Sequence, residues 1–199
     1  LLLPVHAAGL VYRPAVWPTF RLDSFTQHPG FVAIVGISDG TSVTVSATGT
    51  LQAGGGLTAA GGTVVLDADD VLLAASALDG PSDPSYGSDL SGTLITASAP
   101  VIVYAGHACP FIPANSGYCD HLEESVPPSA TLATDHLVVP PYNSQGTPRH
   151  FVKVVADRDN TELLFDPPGV FPGTTLDAGE VVTFEATASF RVHSTARVL

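Results

Sequence analysis

The stretch that decides the fold runs from Phe31 to Ala47 and reads FVAIVGISDGTSVTVSA. It contains two runs rich in β-branched and apolar residues: Phe31–Ser38, which is almost continuously apolar, and Ser42–Ala47, in which apolar side chains recur at every second position. That period is typical of a strand with one buried face. Asp39-Gly40 between the runs is a strong hairpin signal, because both residue types tolerate positive φ. The stretch therefore predicts two strands joined as a β-hairpin.

The same criteria predict strands along the rest of the chain, separated by turns of Gly, Asp, Asn and Pro. Asp159-Asn160 is a second hairpin signal, and a single helical turn at Asp120–Ser125 is the only helix we predict. The pattern indicates an all-β, sandwich-like fold. The further predicted strands lie near Gly62–Leu66, Asp70–Ser76, Ser91–Ala97, Val101–Ala105, His136–Val139, Phe151–Ala156, Thr161–Phe165, Gly173–Leu176, Val181–Ala186, Ser189–His193 and Ala196–Leu199.

Three blocks of sequence recur in the same order, which predicts duplicated β-sandwich-like modules with a disulfide-pinned loop insertion. We expect a first β-module at 1–105, a Cys/His/Pro-rich connecting segment at 106–148, and a second β-module at 149–199 that is truncated relative to the first. The matching blocks are Ile34–Val45 with Val154–Phe165, Leu66–Ala75 with Leu176–Glu185, and Thr93–Val103 with Ser189–Leu199.

Composition excludes several classes of protein. The 199 residues include 7 Lys+Arg and 19 Asp+Glu, a net charge of −12, whereas a nucleic-acid binder needs a basic face. With 13% charged and 45% hydrophobic residues, the chain has enough apolar material to fold. No apolar run approaches the roughly 20 residues of a membrane-spanning helix. We therefore expect no nucleic-acid partner and no membrane span in this fragment.

The two cysteines, Cys109 and Cys119, enclose a loop rich in turn-forming residues. A disulfide between them is the favoured interpretation and indicates an oxidising compartment. Two alternatives stay open. The mirrored pairs His107-x-Cys109 and Cys119-x-His121 have the residue types of a tetrahedral zinc site, and the cysteines could instead be free thiols.

Acidic residues follow the second cysteine in the run Asp120-His121-Leu122-Glu123-Glu124. On a helical turn, Asp120, Glu123 and Glu124 would cluster and could bind Ca²⁺. His107, His121 and Glu124 could also form a mixed metal site. We favour a capping role, with Asp120 at the start of the turn. No cofactor is expected, with Ca²⁺ and Zn²⁺ as the less favoured alternatives.

Catalytic motifs are missing from the sequence. There is no Gly-x-Ser-x-Gly elbow and no His-Glu-x-x-His pair, so we expect no catalytic residues and no enzyme. The alternative is a metal-dependent hydrolase, which would require His107, His121 and an acidic residue to converge on one open site.

The runs PVIVYAGHAC at Pro100–Cys109 and CDHLEESVPP at Cys119–Pro128 resemble the N-terminal domain family of the IgGFc-binding protein. Members of that family carry a Gly-His-x-Cys run and then a Cys-Asp-His-x-x-Glu run followed by prolines. With a single lysine, Lys153, the composition is typical of a bacterial member. The resemblance implies an extracellular or cell-surface, non-enzymatic domain of a larger secreted or surface protein.

Together these observations predict a recognition or adhesion module that binds protein or glycan. The binding-loop candidates are His107, Asp120, His121, Glu123 and Glu124. The alternative is a structural β-subunit or spacer of a surface assembly or filament, whose partners would be neighbouring copies or domains of the parent protein. A recognition module should expose a concavity near Gly106–Pro128, whereas a building block should present long open strand edges or a large apolar interface.

Overall fold

The computed structural model describes residues 4–82, 84–141 and 149–199. Residues 142–148 of the predicted connecting segment therefore lie outside the described part. The fold is all-β, with 50% strand and 3% helix, as predicted. The chain forms two compact units, residues 1–131 and 132–199, which we call the first and the second unit. The three-part division of the sequence into modules stays a prediction.

The described residues of the first unit form ten strands and two short 3-10 turns, Val5–Ala7 and Ser129–Thr131. The segment predicted as a helical turn is the short strand β10, so that prediction is wrong. The strands are β1 (Gly9–Tyr12), β2 (Phe20–Arg21), β3 (Gln27–His28), β4 (Gly30–Gly36), β5 (Thr41–Ser46), β6 (Gly61–Leu66), β7 (Val71–Ala75), β8 (Ser85–Tyr86), β9 (Leu94–His107) and β10 (Leu122–Ser125).

The long strand β9 organises the first unit. Its first half pairs with β5 and β1, and its second half pairs with β4 and β10. β4 and β5 therefore lie one after the other along β9, and each pairs with β9 rather than with the other. The hairpin predicted at Asp39-Gly40 is wrong, because that turn carries the chain onward along β9. β7 adds to β4, β6 adds to β5, and β2, β3 and β8 form a separate small sheet.

The second unit repeats this pairing on a smaller scale. Its strands are β11 (Ala133–Val138), β12 (His150–Val155), β13 (Thr161–Asp166), β14 (Thr174–Leu176), β15 (Val181–Ala186) and β16 (Phe190–Val198). β12 pairs with β15, β13 pairs with β14 and β16, and β11 pairs with β16. The hairpin predicted at Asp159-Asn160 is wrong for the same reason as in the first unit.

The register of the two long strands corrects one of the three sequence matches. Gly36 in the first unit pairs with Val101, and Ala156 in the second forms a bridge with Val198. Val101 and Val198 therefore occupy equivalent positions in the two units. The sequence match of Thr93–Val103 with Ser189–Leu199 aligns Val101 with Arg197 instead, so this match is shifted by one residue. The same register makes β11 the counterpart of β1.

Each unit has its own core, built by strand alternation. In the first unit Val32, Ile34, Leu72 and Val103 are each at most 5% exposed, and they occupy alternate positions of their strands. The second core is more aromatic. Phe165 lies 5.5 Å from Phe184 in an edge-to-face arrangement, with Phe171 and Phe190 beside them. Such ring pairs stabilise a core beyond the area they bury.

Two turns of the first unit are tied together by carboxylates. Gly40 N–H donates a hydrogen bond to Asp67 Oδ1 at 2.9 Å, and Ala68 N–H donates to Asp39 Oδ1 at 3.0 Å. Asp67 N–H in turn donates to Asp70 Oδ2 at 2.9 Å. We call this arrangement the clasp. It joins the turn between β4 and β5 to the turn between β6 and β7. It also provides acceptors for backbone N–H groups in these turns that have no partner in a neighbouring strand.

The second unit contains the same clasp. Asn160 N–H donates to Asp177 Oδ1 at 3.1 Å, and Ala178 N–H donates to Asp159 Oδ1 at 2.9 Å. Asp177 N–H donates to Glu180 Oε2 at 2.8 Å. Each clasp residue of the first unit therefore has a counterpart in the second. The correspondence includes the donors Gly40 and Asn160, whose φ angles both lie in the left-handed region.

Candidate functional site: the disulfide hairpin of the first unit

The predicted site residues lie on one β-hairpin, formed by the end of β9 and by β10. His107 pairs with Leu122, and Glu124 pairs with Ala105. Cys109 and Cys119 form a disulfide just beyond the last rung, with their Cα atoms 5.0 Å apart. The predicted disulfide is therefore present, and it closes the hairpin at the base of a nine-residue loop, 110–118.

His107 is a buried structural residue at the last rung. Its side chain is 0% exposed, and its Nδ1 accepts a hydrogen bond from Cys109 N–H at 3.1 Å. Nε2 lies 3.0 Å from the Pro18 carbonyl oxygen, so the neutral tautomer with hydrogen on Nε2 satisfies both contacts. Burial lowers the pKa of His107 to about 4, against the opposing effect of the Pro18 carbonyl. A neutral imidazole with both nitrogens engaged supports the hairpin and has no nitrogen left for a metal.

The loop beyond the disulfide is attached to the body of the first unit by aromatic contacts. The ring of Phe111 stacks on the buried ring of Phe20 with centroids 4.6 Å apart. Tyr86 O–H donates a hydrogen bond to the Phe111 carbonyl oxygen, and its ring meets Phe20 edge to face at 5.5 Å. The disulfide, His107 and Phe111 therefore hold the loop at three separate points.

The hairpin presents side chains to solvent beyond these attachments. Tyr118 is 88% exposed and Leu122 is 42% exposed. His121 Nε2 lies 3.1 Å from Glu123 Oε2, both side chains being about half exposed. The His121 ring stacks against Phe31 of β4 with centroids 6.4 Å apart. We call Tyr118, His121, Leu122 and Glu123 the hairpin surface; it combines an aromatic ring, an aliphatic side chain and a polar pair.

The carboxylates that we expected to cluster do not do so, because β10 is a strand. Glu123 and Glu124 are neighbours on a strand and point to opposite faces. Glu124 Oε1 accepts the Ser125 N–H at 3.0 Å, which lowers the pKa of Glu124. Asp120 Oδ1 accepts the N–H of His121 at 2.8 Å and so does not cap a helix. Pairing with β9 has overridden the helical preference of the Leu-Glu-Glu run.

The arrangement offers no assembled metal centre in the part of the chain that the structure describes. Within residues 4–82, 84–141 and 149–199, no three His, Cys, Asp or Glu side chains are grouped to hold a metal ion. Both sulfurs of the proposed Cys₂His₂ zinc site are bonded to each other. His107, His121 and Glu124 instead have the protein partners named above.

Sequence reasoning missed several residues of this site. Tyr118 was not singled out, although it is a large aromatic residue between Gly117 and Cys119, in a loop made mostly of small and turn-forming residues. Phe31 and Phe111 were also missed, since a strand residue and a loop residue far apart in sequence give no local sign that both approach the hairpin.

Comparisons with known proteins agree with the motif in this hairpin. The family model described as IgGFc binding protein matches residues 1–199. The human IgGFc-binding protein is 30% identical over 198 residues, which cover 100% of this chain and 3% of that protein. No solved structure gives a significant match. In the described residues, no helix has the length and apolarity needed to cross a membrane. The chain belongs to the IgGFc-binding protein family.

Proposed function

We propose that this chain is a non-enzymatic, extracellular recognition module of a larger protein, and that it binds a protein ligand, the Fc part of IgG, through the hairpin surface. The human relative is named for binding the Fc part of IgG, which supports a protein as the ligand. The disulfide supports an oxidising, extracellular compartment.

The observation that carries the proposal is the contrast between a fixed backbone and exposed side chains in one hairpin. Tyr118 is 88% exposed. The hairpin that carries it is held by the disulfide and by His107, and Phe111 attaches its loop to Phe20. A rigid loop loses little conformational entropy on binding, and exposed tyrosines are frequent anchors in protein interfaces.

A recognition role also agrees with the chemistry of the polar residues. Buried His107 uses both nitrogens for structural contacts, and exposed His121 pairs with Glu123. The solvent-facing pair lies beside an aromatic and an aliphatic side chain, as in the polar margin of a binding surface.

The test is surface plasmon resonance of the full chain against immobilised human IgG Fc fragment and against a glycan array. The double variant Tyr118→Ser/His121→Ala should bind Fc at least about ten-fold more weakly, the usual effect of losing an interface anchor. Phe25→Ser is the matched control, because Phe25 is a 98% exposed aromatic on a different turn of the same unit, and its affinity should stay unchanged.

Three results would overturn the proposal: no binding to Fc, equal Fc binding by the wild type and the hairpin variant, or binding to glycans alone. Circular dichroism of each variant should match the wild type, since the replaced side chains are exposed.

A further inference from the structure

A second surface of the first unit is the outward face of the β7-β4-β9 sheet, which adjoins the disulfide hairpin where Phe31 stacks against His121. Strand register places the outward side chains in three rows. The rows are Val71, Val35 and Ile102; Leu73, Ala33 and Tyr104; and Ala75, Phe31 and Gly106. We call these nine residues the open face. All nine are uncharged, and all but the Tyr104 hydroxyl are apolar.

Eight of the nine residues of the open face are at least partly accessible to solvent, and Gly106 is buried. Val71 and Leu73 are each 60% exposed, and Phe31, Ala33 and Tyr104 are half-buried. Three strands about 4.8 Å apart and three rows about 6.8 Å apart give a patch of about 300 Å². This is far below the roughly 800 Å² that each partner buries in a stable complex, and it is the size of functional apolar patches on monomers. The face therefore suits the apolar centre of an interface with a polar margin.

The second unit shows that the fold does not require an apolar surface here. Counted from the clasp, the rung Ala33–Leu73 corresponds to Lys153–Thr183, and the rung Phe31–Ala75 corresponds to Phe151–Glu185. Glu185 Oε2 also accepts a hydrogen bond from Arg149 Nη2 at 2.7 Å. Three of these four positions are thus polar or charged in the second unit and apolar in the first, whereas the fourth, Phe31 or Phe151, is aromatic in both.

The margin of the open face is acidic. The clasp lies directly beyond the row of Val35 and Val71 and contributes Asp39, Asp67 and Asp70, with Asp69 in the same turn. Glu123 lies across from Gly106 at the opposite end. Residues 1–131 carry eleven Asp and Glu and two Arg, a net charge of −9. Arg13 and Arg21 donate to the Gly92 and Gly80 carbonyl oxygens, respectively.

We infer that the open face binds a basic protein segment, one that presents apolar side chains flanked by Lys or Arg. An apolar centre with carboxylates at both ends is complementary to that pattern, and the negative charge of the unit would speed association with it. The same charge opposes pairing of the open face with a second copy of this chain. The open face adjoins the hairpin surface at Phe31, which stacks against His121, and at Glu123, but its nine residues are not part of the hairpin surface. The inference holds whether or not the hairpin surface binds Fc.

The test uses the full chain and three synthetic twelve-residue peptides, titrated by fluorescence anisotropy. One carries alternating Leu with Lys/Arg, one has the same Leu positions with Glu in place of the basic residues, and one keeps Lys/Arg with Ser in place of Leu. Only the first should bind tightly; each of the others should bind at least about ten-fold more weakly. Methyl NMR should show shifts at Val71, Leu73 and Ile102.

The key variant is Ala33→Lys/Leu73→Thr, which installs the residues that the second unit carries on the same rung and so keeps the sheet compatible with the fold. This variant should bind the Leu-Lys/Arg peptide at least about ten-fold more weakly than the wild type does. Val65→Thr, at a 63% exposed position of β6, is the matched control and should bind as the wild type does. The single variant Tyr118→Ser, which replaces an 88% exposed side chain of the hairpin surface outside the open face and its margin, should weaken Fc binding but leave the peptide affinity unchanged, which separates this inference from the proposed function.

Equal affinity for the basic and acidic peptides would overturn the inference, as would undiminished binding by the Ala33→Lys/Leu73→Thr variant. Sedimentation that shows a dimer of the wild type, lost in that variant, would assign the face to a second copy instead and would also overturn it.

Discussion

The first and the second unit share a scaffold and differ in what they display on it. Both units have the clasp. In both, a buried threonine begins the strand that follows the first clasp turn, and the hydroxyls of these residues, Thr41 and Thr161, each donate a hydrogen bond to the carbonyl oxygen three residues earlier. The net charge is −9 in the first unit and −3 in the second, where eight Asp and Glu face five Lys and Arg. The described part of the second unit has no counterpart of the disulfide hairpin. The difference shows which positions the scaffold needs and which are available for binding.

The clearest structural difference between the units is the disulfide, so its removal should have the largest effect. Cys109→Ser/Cys119→Ser should lower the stability of the first unit by about 3 kcal/mol in the chain-entropy model for a loop of this length. Urea unfolding followed by the fluorescence of Trp17, the single tryptophan, measures it. An unchanged midpoint would mean that His107 and Phe111 hold the hairpin without the bridge.

Acid should destabilise the first unit through His107. Its pKa is about 4 when folded and about 6.5 when unfolded, so the unfolded chain binds the proton more readily between these values. Stability is therefore full above pH 6.5 and falls as the pH drops toward 4, by about 2–3 kcal/mol. Urea titrations at several pH values, again followed by Trp17, should show this slope.

The matched variant for the acid effect is His107→Gln, which cannot titrate in this range. It should unfold at lower urea than the wild type at pH 7 and should lose most of the dependence on pH between 6.5 and 4. The same acid slope in this variant would place the titrating group elsewhere.

Removing the equivalent clasp carboxylate should destabilise the turn to the same extent in both units. Asp67→Ala and Asp177→Ala each remove the acceptor for the N–H at the turn, of Gly40 and of Asn160, at a cost of about 1 kcal/mol for an exposed, charge-assisted hydrogen bond. Hydrogen exchange of these two amides, measured by NMR, should accelerate by about five-fold. Asp67→Asn, which keeps an oxygen acceptor, should change the exchange less; a response in one unit alone would break the correspondence.

Exchanging the turn residues between the units should have the smallest effect. Gly40 and Asn160 both have positive φ, 70° and 57°. Asn tolerates this region better than other non-glycine residues, so Gly40→Asn should cost about 0.5 kcal/mol. Gly40→Val should cost about 1–2 kcal/mol, because a β-branched side chain is strained there. Thermal unfolding measures both, and equal costs would contradict the left-handed requirement.

The local sequence pattern was sufficient to predict the position of many strands. Alternation located β4, β5, β12 and β13 to within two residues, because one face of each is buried. It failed where pairing partners change. The residues around Pro100 resemble a turn, yet β9 continues through them while its partners change from β5 to β4. The hairpins at Asp39-Gly40 and Asp159-Asn160 failed for the same reason.

The candidate site was only partly predictable from sequence. The cysteine pair was identifiable from its loop, whereas the binding role of His121 and Glu123, which are exposed, stays a prediction. The burial of His107 depends on the Pro18 carbonyl, which is 89 residues distant and gives no local sign. The open face could not be predicted either, because a strand of consecutive apolar residues has the same sequence pattern whether one face or both faces are buried.

Hydrogen exchange of the full chain, measured with and without human IgG Fc fragment, shows which of the two units binds Fc. We expect slower exchange on adding Fc at residues 118–123 of the hairpin and unchanged exchange in β11–β16. Protection confined to the second unit, or no protection anywhere, would contradict it.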